Sequence, residues 1–312
     1  MQYKELGGTG VQVSTIAFGC GPTAGMIVKG TPEERRRGVS RALDLGVNLF
    51  DTASIYGAGA SETHLGETLQ ELKARPVIGS KVALELPDLD DVKGNTIQSV
   101  EDSLKRLQVE TIDLIQLHNR VGLERAERSD MGVGAQLTVD DVLAPGGVLD
   151  AFQVLQQQGK VRYFGFTAYG GLLSCVYQLI DSGQFHSING LYNIINPSAV
   201  RPAADVDRDF GQVFDRSAKL GMGIIVIRVL AAGLLAGAGA DPAAERVREV
   251  LANHDTTPVE GAVRYVLSNP IVATSVIGFS EVEHIEEACA AEEKGPLPAD
   301  VLAELEAVVP AA

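Results

Sequence analysis

Apolar residues recur along this chain in short runs, each followed by a longer stretch with helical spacing. Residues 3–18 read as a hairpin around Gly7-Gly8-Thr9-Gly10 that feeds an apolar strand at 14–18. Thr31-Pro32-Glu33-Glu34 combines an N-cap, a first-turn proline and a capping-box glutamate, so a helix runs from there to Gly46. A buried strand follows through Val47, Leu49 and Phe50, closed by Asp51 and bracketed by Gly46 and Gly57. A helix from Ser61 then places Leu65, Leu69 and Leu72 on one face.

The alternation repeats. Strands are expected at 77–84, 111–118, 163–167, 188–193, 224–230 and 274–277. Asn95 is expected to cap a helix carrying Ile97, Val100, Leu104 and Leu107, and Leu149, Phe152 and Leu155 mark another. Helices are also expected at 172–180 and 210–220, while residues 120–147 read as a long polar loop. Thr257-Pro258-Val259-Glu260 repeats the first helix signature, and Ser280-Glu281-Val282-Glu283 opens the last long helix with a capping box. Strands apolar on both faces imply a covered parallel sheet. Eight strand–helix units without a linker predict an α/β, single-domain (β/α)8 TIM barrel with a short N-terminal β-hairpin. An open doubly wound sheet would normally carry a G-x-G-x-x-G turn after its first strand. The segment Gly19-Cys20-Gly21-Pro22-Thr23-Ala24-Gly25 fits that turn loosely, and Pro22 opposes a helix start there.

Charge and cysteine content narrow the class. A net charge of -15 argues against nucleic acid and anionic membranes as partners. Three scattered cysteines, Cys20, Cys175 and Cys289, lack metal spacing and suit a reduced cytoplasmic protein. The first residues do not read as a signal peptide, and no apolar run reaches transmembrane length.

In a barrel, function collects where strands end in loops at the C-terminal face. There the chain carries Asp51 and Tyr56 after the second strand, Lys81 in the third, His118 ending the fourth and Thr167 ending the fifth. Ionisable residues in apolar strands need partners, and Asp51, Lys81 and His118 can supply one another. Each alone has a plainer reading: a core ion pair, a satisfied core histidine, a turn aromatic. Together they make a proton-transfer unit. A nearby ammonium is expected to lower the phenol pKa of Tyr56 and make it a general acid/base. His118 would then hydrogen-bond a substrate oxygen. The set suits carbonyl reduction or alcohol oxidation. It lacks a nucleophile–base pair for hydrolysis, and no metal ligands cluster.

At these residues the chain resembles the aldo-keto reductase superfamily. Asp51, Tyr56, Lys81 and His118 match the order and spacing of that family's catalytic tetrad. Asp51-Thr52-Ala53-Ser54-Ile55-Tyr56-Gly57, Ile78-Gly79-Ser80-Lys81 and Leu114-Ile115-Gln116-Leu117-His118 match its motifs. The resemblance spans about 290 residues. It implies an oxidoreductase using NADP(H) or NAD(H), with the cofactor extended across the barrel mouth. It places that cofactor against Gly21, Thr167, Asn189, Arg228, Leu230, Gly278, Ser280, His284 and Glu287. NADP(H) is the family default, yet Gly278 and His284 stand where the family commonly has Lys and Arg, and Glu281 and Glu283 add negative charge, which suits a free ribose hydroxyl.

The fifth strand ends Thr167-Ala168 where the family has Ser-Asn, and Ile227 replaces a ring-stacking tyrosine. Arg228 suits either a pyrophosphate or an ion pair with a loop aspartate. The substrate pocket is expected between residues 23–29, Ile55, Tyr192 and the loop after His118, which bears Arg125, Arg128, Asp130 and Met131. A short tail, ending at Ala312, points to an open pocket. A small polar carbonyl or polyol is the expected substrate, loosely as in the sugar-dehydrogenase branch. Two alternatives remain: a nicotinamide-binding redox-sensing regulatory subunit, and a non-redox barrel enzyme.

Overall fold

The computed structural model describes residues 1–128, 133–204, 206–237 and 239–309. Strands β1 (Tyr3–Glu5) and β2 (Gln12–Ser14) pair antiparallel as the expected hairpin. The barrel opens with β3 (Ile16–Gly19), β4 (Leu49–Asp51), β5 (Val77–Val82) and β6 (Ile112–Leu117). A short parallel pair outside it, β7 (Val121–Gly122) and β8 (Leu137–Thr138), follows. The chain returns with β9 (Val161–Thr167), β10 (Ser187–Leu191), β11 (Gly223–Ile227) and β12 (Val272–Gly278). β12 pairs with β3, so the eight parallel strands close, as the alternation of the sequence predicts.

Side chains alternate between the two faces of each strand. At the lower end the inward set is apolar. Ala17, Leu49, Leu114, Ile225 and Ala273 pack with Leu6, Val11 and Val13 of the hairpin in a cluster of their own. The hairpin therefore plugs the barrel floor. Gly7 makes this possible: its φ is +58°, and a Cβ there would stand 2.4 Å from the Gly223 nitrogen. Tyr163 locks the plug by donating its hydroxyl proton to the Thr9 carbonyl at 2.6 Å. The outer strand faces form the larger core with the helices, such as Pro32–Asp44 through Val39 and Ala42, and Ala60–Leu72 through Leu65 and Leu69.

The same period of two lifts polar side chains to the mouth. Two residues above Leu49 is Asp51, two above Leu114 is Gln116, and His118 follows in the same parity. β4 and β6 thus carry floor and function on one inward face.

Several boundaries differ from the sequence reading. Asp91, not Asn95, caps the helix Val92–Leu107; Asn95 sits inside it and donates to the Asp88 carbonyl at 2.8 Å. The Ser280 capping box does not form. The hydroxyl lies 3.1 Å from His284 Nδ1 instead, and the helix Val282–Glu293 has Glu281 at its N-cap. A separate helix, Ala299–Val308, follows it. Residues 120–147 contain β7, β8 and the helix Val139–Leu143, capped by Thr138 and Asp141. The helix Pro242–Asn253, capped by Asp241, has no counterpart among the expected elements. β11 stops at Ile227 because Arg228 turns to φ +60°, which no strand continues.

Candidate active site

Register brings Asp51 and Lys81 to adjacent strands at the barrel mouth, since Asp51 pairs with Gly79 in β5. Both side chains are buried, and they form an ion pair. Lys81 Nζ also donates to the Thr52 carbonyl at 2.8 Å. That leaves one ammonium proton free of these two partners. Nζ stands 5.2 Å from the centre of the Tyr56 ring, and the His118 ring crosses that ring edge-on at 5.7 Å. The four residues read from the sequence therefore converge.

Their electrostatics differ from the expectation in one respect. Burial pushes the Tyr56 phenol above its ordinary 10.0; Lys81 pulls it down, but not enough to reverse the rise. The anticipated lowering does not occur, and the phenol is protonated at neutral pH. Burial disfavours the Lys81 charge too, yet Asp51 and Tyr56 outweigh it and hold the ammonium above its usual range. For His118, burial and the Lys81 charge act together, pushing the imidazole well below 6.5. It is neutral at pH 7.

A narrow cavity of about 60 Å³ opens between Tyr56, Lys81, His118, Val133, Thr167, Tyr169, Asn189 and Ile227. It is confined rather than open, because Val133, Tyr169 and Ile227 wall it. Thr167 donates to the His118 carbonyl at 3.3 Å. Neither polar atom of the buried Asn189 amide has a hydrogen-bond partner among the described residues. An unpaired buried amide is costly, and a ligand amide would satisfy it. Gly21 lies against Tyr56: a Cβ on it would be 3.6 Å from Tyr56 Cε2.

A second depression of about 290 Å³ lies between Thr23, Ala24, Arg228, Leu230, Gly233 and Gly278. Its floor is the loop after β11, where Arg228, Ala231 and Ala232 all have positive φ. Such conformations cost about 1–2 kcal/mol per residue and concentrate at functional sites. Ser280, His284 and Glu287 are exposed at the start of the helix beyond it and line neither cavity.

Other expectations move. Tyr192 does not wall the cavity; it is buried beside Tyr265, ring centres 5.6 Å apart. Arg125 pairs with Asp141 at 2.5 Å. Asp130 and Met131 lie outside the described residues, as do residues 310–312 of the tail. Arg228 makes no ion pair among the described residues, and its guanidinium lies 5.7 Å from the Tyr169 ring centre. The sequence reading missed Tyr169 and Gln116. Gln116 is buried with Nε2 3.5 Å from Asp51 Oδ2, and its parity with His118 was the available signal.

A family model described as the Aldo/keto reductase family matches residues 15–310. The chain belongs to the aldo/keto reductase family. It is thereby an oxidoreductase, and members of this family generally bind NAD(P)H. Among solved structures, the holo form of the aldo-keto reductase AKR11C1 from Bacillus halodurans superposes with a TM-score of 0.79 at 25% identity, covering 100% of this chain and 97% of that one. L-galactose dehydrogenase of Arabidopsis thaliana is 24% identical, covering 99% of this chain and 94% of that protein. A putative voltage-gated potassium channel subunit beta of Schizosaccharomyces pombe is 26% identical, covering 91% and 86%. No helix among the described residues is long and apolar enough to cross a membrane.

Proposed function

We propose that this aldo/keto reductase interconverts a small polar carbonyl and its alcohol, with Tyr56 as the general acid/base. The reading rests on one observation: a protonated phenol sharing a cavity with a buried ammonium and a neutral imidazole. When bound, a nicotinamide cofactor supplies the hydride for reduction or takes it in oxidation. Tyr56 gives its proton to the carbonyl oxygen as that oxygen gains charge. Lys81 then faces the phenolate left behind, and Asp51 keeps Lys81 charged and fixed in place. His118, being neutral, offers an N–H to the same oxygen without competing for the proton. Gln116 helps to orient Asp51.

For the cofactor, Thr167 and the unpaired Asn189 amide suit a carboxamide, and Gly21 keeps the approach to Tyr56 clear. Arg228 and Leu230 suit the pyrophosphate region, and Gly278, Ser280, His284 and Glu287 the adenosine end. NADP(H) is the family default. The acidic Glu281 and Glu283 at that helix favour NAD(H). The name of the Arabidopsis relative supports a sugar or polyol as substrate. Titration with NADH and NADPH, then turnover on a carbonyl panel, tests the proposal; no binding of either nucleotide overturns it.

The Schizosaccharomyces relative's name motivates a second reading, a nicotinamide-binding regulatory subunit. Tight nucleotide binding with negligible turnover on every carbonyl would favour it. The assembled Asp51, Tyr56, Lys81 and His118 favour the first.

A further inference from the structure

Tyr169 is an aromatic cavity-lining residue that the chemistry above leaves without a role. It continues outward as a stack. Its ring lies parallel to that of Phe210, centres 6.2 Å apart at 21°. The Arg228 guanidinium lies 5.7 Å from the Tyr169 ring, and the Arg208 guanidinium 5.9 Å from the Phe210 ring. The four residues come from three separate loops, after β9, β10 and β11. Both arginines are exposed, and neither forms an ion pair among the described residues. Asp207 and Asp209 flank Arg208 in sequence, yet neither pairs with it; Asp209 accepts from the Gly211 amide at 2.8 Å. Instead Arg208 reaches the Gly171 carbonyl at 3.4 Å.

The placement is specific. In a chain of net charge -15, two guanidiniums are held against aromatic faces on one stack that begins at the reaction cavity with Tyr169; Arg228 itself lines the second depression. Stacking leaves the guanidinium edge free, and that edge binds carboxylate or phosphate oxygens in pairs. Arg228 is held there despite its left-handed backbone, with its carbonyl taken by Asn193 Nδ2 at 2.9 Å. Tyr169 joins the two arginines to the catalytic cavity.

From this juxtaposition we infer that the enzyme selects carbonyl substrates carrying an anionic group, which Arg208 holds while the carbonyl enters beside Tyr56 and Arg228, on the same stack, faces the cofactor side. The inference rests on the carbonyl-reduction reading and adds the substrate class. Tyr169 acts as the spacer that sets how far the anion lies from the reacting carbon.

Matched probes test it. The full chain is assayed with succinic semialdehyde against butanal, and with glyceraldehyde 3-phosphate against glyceraldehyde. The anionic member of at least one pair is preferred in kcat/KM by about tenfold or more, the scale of one charge-assisted contact, ~1.4 kcal/mol. The pair showing the larger preference distinguishes carboxylate from phosphate. Arg208→Gln reduces that preference at least severalfold, and Arg208→Lys restores part of it. Equal turnover of charged and neutral members overturns the inference and leaves the carbonyl-reduction reading intact. Turnover of no member, despite nucleotide binding, overturns that reading itself. For Arg228→Gln, a weaker nucleotide dissociation constant with an unchanged charge preference is expected; loss of the charge preference there, with Arg208→Gln unchanged, overturns the assignment of the anion to Arg208.

Discussion

The ammonium of Lys81 stands 5.2 Å from the centre of the Tyr56 ring while ion-paired to Asp51. In the chemistry proposed, the phenol is the group of the three that passes its proton to the substrate. Asp51 holds Lys81 charged, and Lys81 faces the phenolate that forms.

Replacing the phenol tests its part directly. Tyr56→Phe is expected to lower carbonyl-reduction kcat by about 10²–10⁴-fold, the usual worth of a positioned general acid. Nucleotide affinity, read by fluorescence titration, should stay within a few-fold. In the wild type, burial keeps the phenol protonated, so the Tyr56-dependent part of the reduction rate should stay flat through neutral pH and fall only above 10.0. Oxidation needs the phenolate and should rise over the same alkaline range. A decline in reduction already near pH 8, absent from Tyr56→Phe, would contradict the raised phenol.

The Lys81–Asp51 pair carries a stability prediction. Lys81→Met strands the buried Asp51 carboxylate and should cost about 3–5 kcal/mol of unfolding free energy in urea. Adding Asp51→Asn should recover a large part, since the stranded charge is gone. A double variant no more stable than Lys81→Met would mean that the carboxylate is not what the lysine offsets.

His118 gives a pH signature. Its folded pKa is depressed, so the unfolded chain takes up the proton first as pH falls. The stability it contributes is complete above 6.5 and is lost as pH drops from there towards the folded value. His186, also depressed by burial, adds in the same direction. His118→Gln should therefore flatten the fall in melting temperature below pH 6.5 without abolishing it. An unchanged slope would show that His118 is not held neutral.

Gly7 tests the floor plug. Gly7→Ala forces a Cβ against the Gly223 backbone at a positive φ and should destabilise by about 1–3 kcal/mol. Thermal melts report this directly. A melting temperature equal to wild type would mean that the hairpin does not seat tightly.

The (β/α)8 order was legible because buried parallel strands and amphipathic helices leave opposite periodicities in the chain. Asp51, Lys81 and His118 stood out as ionisable residues in apolar runs, an anomaly that sequence alone exposes. Boundaries were less legible. Asn95 and Asp91 are both good caps, and the choice between them depends on how the preceding turn packs. Ser280 matched a capping box, yet its hydroxyl turned to His284, because side chains four apart on one turn compete for it.

The sequence by itself determined which residues meet at the mouth, because strand parity and a closed register leave one place for them. It could not determine the sign of the Tyr56 shift. Lys81 lowers that pKa and burial raises it, and only the depth of the site in three dimensions decides which is larger. Nor could it show Tyr169, Phe210, Arg208 and Arg228 as one stack, because those residues come from three loops and have no common period. Their adjacency exists only once the barrel closes.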